Sequence, residues 1–150
     1  MGDYTRFSYK PAKRYAAVLM QQGRVQLDAD WNEQSDIYKH RLESQAIDTL
    51  GSCMVPDSTP NAFKVGTIAG PPLDLSLGDG LDGRIYVDGL LAELFDGETF
   101  QGNPISYLHQ PYFPNPPAVP ANAVVYLDVW EREVTAIEDK IGRASCRERV

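Results

Sequence analysis

Residues 30–51, DWNEQSDIYKHRLESQAIDTLG, decide the fold class, because they form the one long segment with helical periodicity. Asp30 stands where an N-cap belongs and Glu33 follows three residues on, the spacing of a capping box. At about 100° per residue, Trp31, Tyr38, Leu42, Ala46 and Thr49 fall within one narrow stripe. Gly51 is placed to end the helix as a C′ residue in a left-handed conformation. Ile37 and Ile47 lie on roughly the opposite side. That leaves two arrangements: a helix packed between two partners, or one broad core with two isoleucines off it.

Working outward, the pattern changes to short extended segments. Upstream, Tyr4, Phe7 and Tyr9 alternate with polar residues until Pro11. Residues 16–20 read as a short buried strand or helical turn, and after the Gln22-Gly23-Arg24 turn Val25 to Leu27 alternates again. Downstream, residues 52–72 are rich in Pro, Gly, Ser and Thr and read as a linker, with one candidate strand at 63–68. Leu73 to Leu77 alternates strictly, which predicts a half-buried strand with its leucines inward. Asp88-Gly89, between Arg84–Val87 and Leu90–Leu94, is the dipeptide a two-residue type I′ hairpin prefers. Residues 103–122 carry six prolines and are expected to stay out of any ladder as a surface loop. Ala123 to Trp130 is the strongest strand candidate, continued past a bend by Glu131 to Ile137.

One long N-terminal helix followed by antiparallel strands and hairpins, without βαβ alternation, reads as α+β and β-leaning. The expected parts are residues 1–51 (arm, short strand pair and helix), the 52–72 linker, and a β domain over 73–140 whose last element is incomplete. Residues 141–150, IGRASCRERV, read as the translation of a short-read sequencing adapter and are set aside. The natural chain is then expected to continue past Lys140.

The chain has 150 residues, 43% hydrophobic and 23% charged, with a net charge of −7. Without the three arginines and one glutamate of 141–150 the charge becomes −9, and Cys53 is the one cysteine left. The apolar fraction is that of a folded protein, and the acidic balance with no basic face speaks against nucleic acid as a partner. The longest apolar run, Tyr15 to Met20, falls far short of the roughly 20 residues a membrane span needs. The start lacks the basic and apolar regions of a signal peptide.

No catalytic pattern emerges. Asp28 and Asp30 with Glu33 would suit a divalent cation, but carboxylates also favour a helix N-terminus. Asp79 to Gly83 resembles a calcium loop without the EF-hand spacing. His40 and His109 stand alone, and Cys53 has no activating neighbour in the sequence. Glu131, Glu133, Glu138 and Asp139 are better explained as charges that discourage strand-edge pairing than as an acid–base pair. No metal, cofactor or catalytic residue is assigned.

Three segments do carry a resemblance. They are Asp3 to Phe7 with YAAVLMQQGRVQLDADWNEQ at 15–34, GRIYVDGLL at 83–91, and YLDVWEREVTAIED at 126–139. Together they resemble a bacterial family of uncharacterised domains found at the N-terminus of longer proteins, some of which run on into β-helical repeats. The opening motif also resembles the start of phage tail and baseplate proteins. The third motif typically runs on into a proline, where this chain has Lys140.

The family has no established catalytic residues. The resemblance implies a non-catalytic structural or assembly module of a phage-tail-like or injection particle, or of a surface fibre. It would be assembled in the cytoplasm and become part of an extracellular particle, with protein partners and a homo-oligomeric state. Trp31, Ile37, Tyr38 and Ile47 are the candidate interface, because aromatic anchors carry most binding energy. Ile37→Asp is expected to give monomers. The alternative is the front of a surface carbohydrate-binding or carbohydrate-active protein, with Tyr107, Tyr112 and Phe113 as a ligand loop.

Overall fold

A computed structural model describes residues 7–78, 82–95, 97, 99–100, 102–134 and 147–149. The chain divides into two compact units. The first comprises Met1–Ser52, Asp88–Leu90 and Trp130–Val150, and the second Cys53–Val87 and Leu91–Val129. The architecture is α+β, with one long helix and small antiparallel sheets.

The first unit is built on helix α1, Asp28–Leu50. The helix starts before the expected cap: Leu27 is the N-cap, and Asp30, at N3, accepts the Leu27 N–H at 3.2 Å. Leucine has no acceptor to return, so only half of a capping box forms. Glu33 is free for another task and accepts from the Ser8 hydroxyl. At the other end Gly51, with φ 79° and ψ −170°, accommodates a backbone region nearly closed to side chains.

The inward side of α1 is the one opposite the expected stripe. Ala29 and Ile37 are its buried residues, Ile37 at 1% exposure. Around them the contacts are polar. The Val18 N–H donates to Gln34 Oε1 at 2.7 Å, Lys39 pairs with Glu131, and the Tyr9 and His40 rings lie 5.9 Å apart. Residues 16–20 and 25–27 therefore form no strand. The helix holds the arm by side-chain contacts, and Leu19 and Met20 stay exposed.

Two further pieces complete this unit. Strand β8, Arg132–Val134, pairs antiparallel with β9, Arg147–Arg149, and Val134 is 2% exposed. The Asp88-Gly89 turn has positive φ at both residues, 46° and 84°, as a type I′ turn requires. The Asp88 N–H donates to Ser52 O, and a Cβ on Gly89 would stand 2.7 Å from Glu43 O.

In the second unit, β1 (Cys53–Met54), β4 (Gly83–Val87) and β5 (Leu90–Leu94) form a three-stranded sheet in the order β1-β4-β5. Ile85 and Ala92 supply its buried side chains, with Ala62 packed against Gly83. Strands β2 (Val65–Ile68) and β3 (Asp74–Leu77) pair from Val65↔Leu77 to Ile68↔Asp74. Short strands β6 (Thr99–Phe100) and β7 (Asn103–Pro104) also pair.

Three expectations change here. In β3 the alternation fails at its start, with Leu73 exposed and Asp74 buried because Asp74 has hydrogen-bond donors inside, while Leu75, Ser76 and Leu77 are all half-buried. Asn103, Pro104 and Ser106 do pair, since proline lacks only its N–H and can occupy an edge. Residues 123–130 are not a strand. Their β-propensity describes a fit to a half-buried pleated surface, and no described strand lies beside them.

Gly89→Ala is expected to lower stability by about 1–3 kcal/mol, through strained backbone and collision with Glu43. Gly23→Ala, also at positive φ but with open space around it, should cost less. Chemical denaturation of the two variants measures the difference.

Candidate functional site

Two features stand out among the described residues: the outward stripe of α1, and a buried polar knot in the second unit. Trp31, Tyr38 and Leu42, about two turns or one turn apart, are 66%, 58% and 68% exposed. This is the apolar stripe of the helix, and it faces outward because the arm packs on the opposite side, against Glu33 and His40, with Gln34 and Lys39 engaged on the flanks. Ile47 is partly exposed on the far side. Ile37 leaves the interface set, since burial inside the unit makes its side chain inaccessible to a partner.

The knot joins β3 to the proline-rich segment. Asp74 Oδ1 accepts the Leu75 N–H at 2.8 Å and the Leu108 N–H at 3.0 Å. The Ser106 hydroxyl also bonds Asp74, and Ser106 Oγ lies 3.0 Å from His109 Nδ1. A hydroxyl has one proton. If Ser106 donates it to Asp74, His109 Nδ1–H must be the donor to Ser106. Ser, His and Asp are thus neighbours, yet the proton order runs His109 to Ser106 to Asp74. A nucleophilic triad needs the reverse, a histidine nitrogen that takes the serine proton. The arrangement is a clamp on the 105–110 segment, reinforced by the Tyr107 N–H donating to Leu75 O at 2.9 Å.

Burial pushes the Asp74 carboxyl up, but the hydrogen bonds from Ser106, Leu108 and Leu75, helped by His109, outweigh it and hold the pKa below its ordinary value. The sequence does not reveal this knot, because Asp74 sits at a position that alternation assigns to the outside. Read from the sequence, His109 stands alone, and nothing there ties it to Ser106 or Asp74.

The other expected site residues are scattered. The Tyr107 hydroxyl donates to Pro117 O at 3.0 Å, so its ring is anchored within the loop, while Tyr112 and Phe113 are about half exposed. His40 is beside Tyr9, and Cys53 is a free, exposed thiol at the sheet edge. Asp30 is used at the helix start. Among the described residues no group of three His, Cys, Asp or Glu side chains could hold a metal ion, and no helix is long and apolar enough to cross a membrane. Asp79 to Leu81, Glu138 and Asp139 lie outside the described residues.

These features define an α+β protein with an exposed apolar helix face and a structural polar clamp. By sequence, residues 1–144 match the model of a family of unknown function, DUF6519, and the chain belongs to that family. No curated protein and no solved structure matches it.

Asp74→Ala should destabilise the protein by about 1–3 kcal/mol, the cost of orphaning buried donors. The contribution of Asp74 is present above the ordinary aspartate pKa of about 3.9 and is lost as pH falls through the lower folded value. The gap between the wild type and Asp74→Ala should therefore narrow on acidification below pH about 4, as urea titrations at several pH values would show.

Proposed function

We propose that this chain is a non-catalytic assembly module, of the kind that builds a phage-tail-like or injection particle or the base of a surface fibre. It binds protein partners, copies of itself among them. In this reading it is assembled in the cytoplasm and becomes part of an extracellular particle.

The observation that carries this reading is the orientation of α1. A helix normally buries its apolar stripe, whereas here Trp31, Tyr38 and Leu42 point outward. Covering the exposed parts of one Trp and one Tyr removes roughly 250 Å² from water, a gross gain of about 6 kcal/mol. Association costs consume much of that, so the stripe needs neighbouring contacts to make a stable complex. The resemblance of the opening segment to tail and baseplate proteins gives the assembly its proposed kind.

Ile37→Asp no longer tests this, because a charge at a buried position unfolds the unit. Tyr38→Glu and Leu42→Glu are the informative variants. Sedimentation of the full chain should show an oligomer at micromolar concentration that both variants weaken, with circular dichroism unchanged. A monomeric wild type, or variants that associate as well as the wild type, would overturn the reading.

A second reading rests on the half-exposed Tyr112 and Phe113, adjacent aromatics on a segment held by the Asp74 clamp. They suit stacking on a sugar face, and the chain would then be the front of a carbohydrate-binding protein. Glycan-array binding that disappears in Tyr112→Ala would support it, and an array without binding would dismiss it.

A further inference from the structure

We propose that residues 116–120 form an exposed polyproline ridge, and that the aromatic stripe of α1 in a second copy of this chain is the surface that receives it. This rests on the assembly reading and deepens it, by naming what the Trp31–Tyr38 stripe takes up.

The ridge begins in the sequence. Pro111, Pro114, Pro117 and Pro120 recur at every third residue, with Pro116 beside them. Proline fixes its own φ close to that of a polyproline helix, and it pushes the residue before it into the same extended region. Pro116, Pro117, Val119 and Pro120 are therefore all constrained, and Ala118 alone is free. Asn115, at φ 57°, ends the run on its upstream side. Residues 116–120 belong to no helix, strand or turn, with Pro116 and Val119 half-buried and Pro117, Ala118 and Pro120 exposed. That period of three is the repeat of a polyproline helix, which turns once in three residues. One edge lies inward and the Pro117–Pro120 edge stands clear. The Tyr107 hydroxyl pins the ridge at Pro117 O, and the Tyr107 N–H is itself held by Leu75 O.

The occupant follows from the chemistry of such a ridge, which docks on surfaces lined by aromatic side chains. This chain itself exposes one. Trp31 and Tyr38, 66% and 58% exposed, share one side of α1 with the short Ser35 between them. Seven helical residues set the two rings about 10.5 Å apart along the axis. Three residues of ridge set Pro117 and Pro120 about 9.3 Å apart, so each proline can rest on one ring. Pro117 to Pro120 carry no charge, and neither do Trp31, Ser35, Tyr38 and Leu42, so the contact desolvates no ion. The ridge is already rigid and loses little conformational freedom on binding. Ridge and stripe are different surfaces, so the contact is head-to-tail. It repeats into a ring or a filament instead of stopping at a dimer, which is the geometry a particle or a fibre needs.

The test is complementation, read by sedimentation of the full chain. Pro120→Glu spoils the ridge and keeps the stripe, and Trp31→Ala does the reverse; both positions are exposed, so melting should not change. The wild type should associate beyond dimers at micromolar concentration, and each variant alone at least about tenfold more weakly. An equimolar mixture of the two variants should form a one-to-one heterodimer and go no further, because it holds one working ridge and one working stripe. Pro120→Ala, which removes the ring without adding a charge, should weaken association in the same direction. A mixture that stays monomeric would overturn the proposal, since stripe-to-stripe pairing cannot be rescued in this way. Association untouched by both Pro120 variants would overturn it too, and the assembly reading would still stand if Tyr38→Glu and Leu42→Glu weaken association. A monomeric wild type would overturn both.

Discussion

The polar side of α1 is the surface on which the first unit is built. Glu33 takes Ser8 and His40 lies beside Tyr9 on the same side as the buried Ile37, while Gln34 takes the Val18 N–H on one flank and Lys39 takes Glu131 on the other. Each exposed or half-exposed contact contributes little by itself. Together they fix which way the helix is turned. Once that side is inward, the stripe of Trp31, Tyr38 and Leu42 has to face out.

A comparable constraint organises the second unit. Asp74 gathers donors from Leu75, Ser106 and Leu108, and so draws a proline-rich stretch onto the end of a hairpin. A buried carboxylate is tolerated only when it is well supplied with hydrogen bonds, and here those bonds set the local structure. The same chemistry gives the Ser–His–Asp grouping a structural task, since its proton order serves to hold a loop.

Both units also leave apolar surface uncovered, in the helix stripe and in the unladdered segment at 123–129. The stripe leaves side chains uncovered, and the segment leaves a main chain with no hydrogen bond to a described residue.

Much of the local structure was legible. The helix, its glycine terminator at Gly51, the Asp88-Gly89 turn and the β2–β3 and β4–β5 segments all follow from periodicity and from residues that tolerate positive φ, which are properties of a few neighbouring positions. The N-cap lies three residues before the position the sequence suggests, because Asp30 serves as well at N3 as at the cap. Which side of α1 is inside, the burial of Asp74 and the failure of 123–130 to form a strand were decided only by tertiary structure. Periodicity shows that a segment has two faces, but the neighbours that reach it determine which face is covered. For α1 those neighbours brought polar groups, and for 123–130 no described strand came.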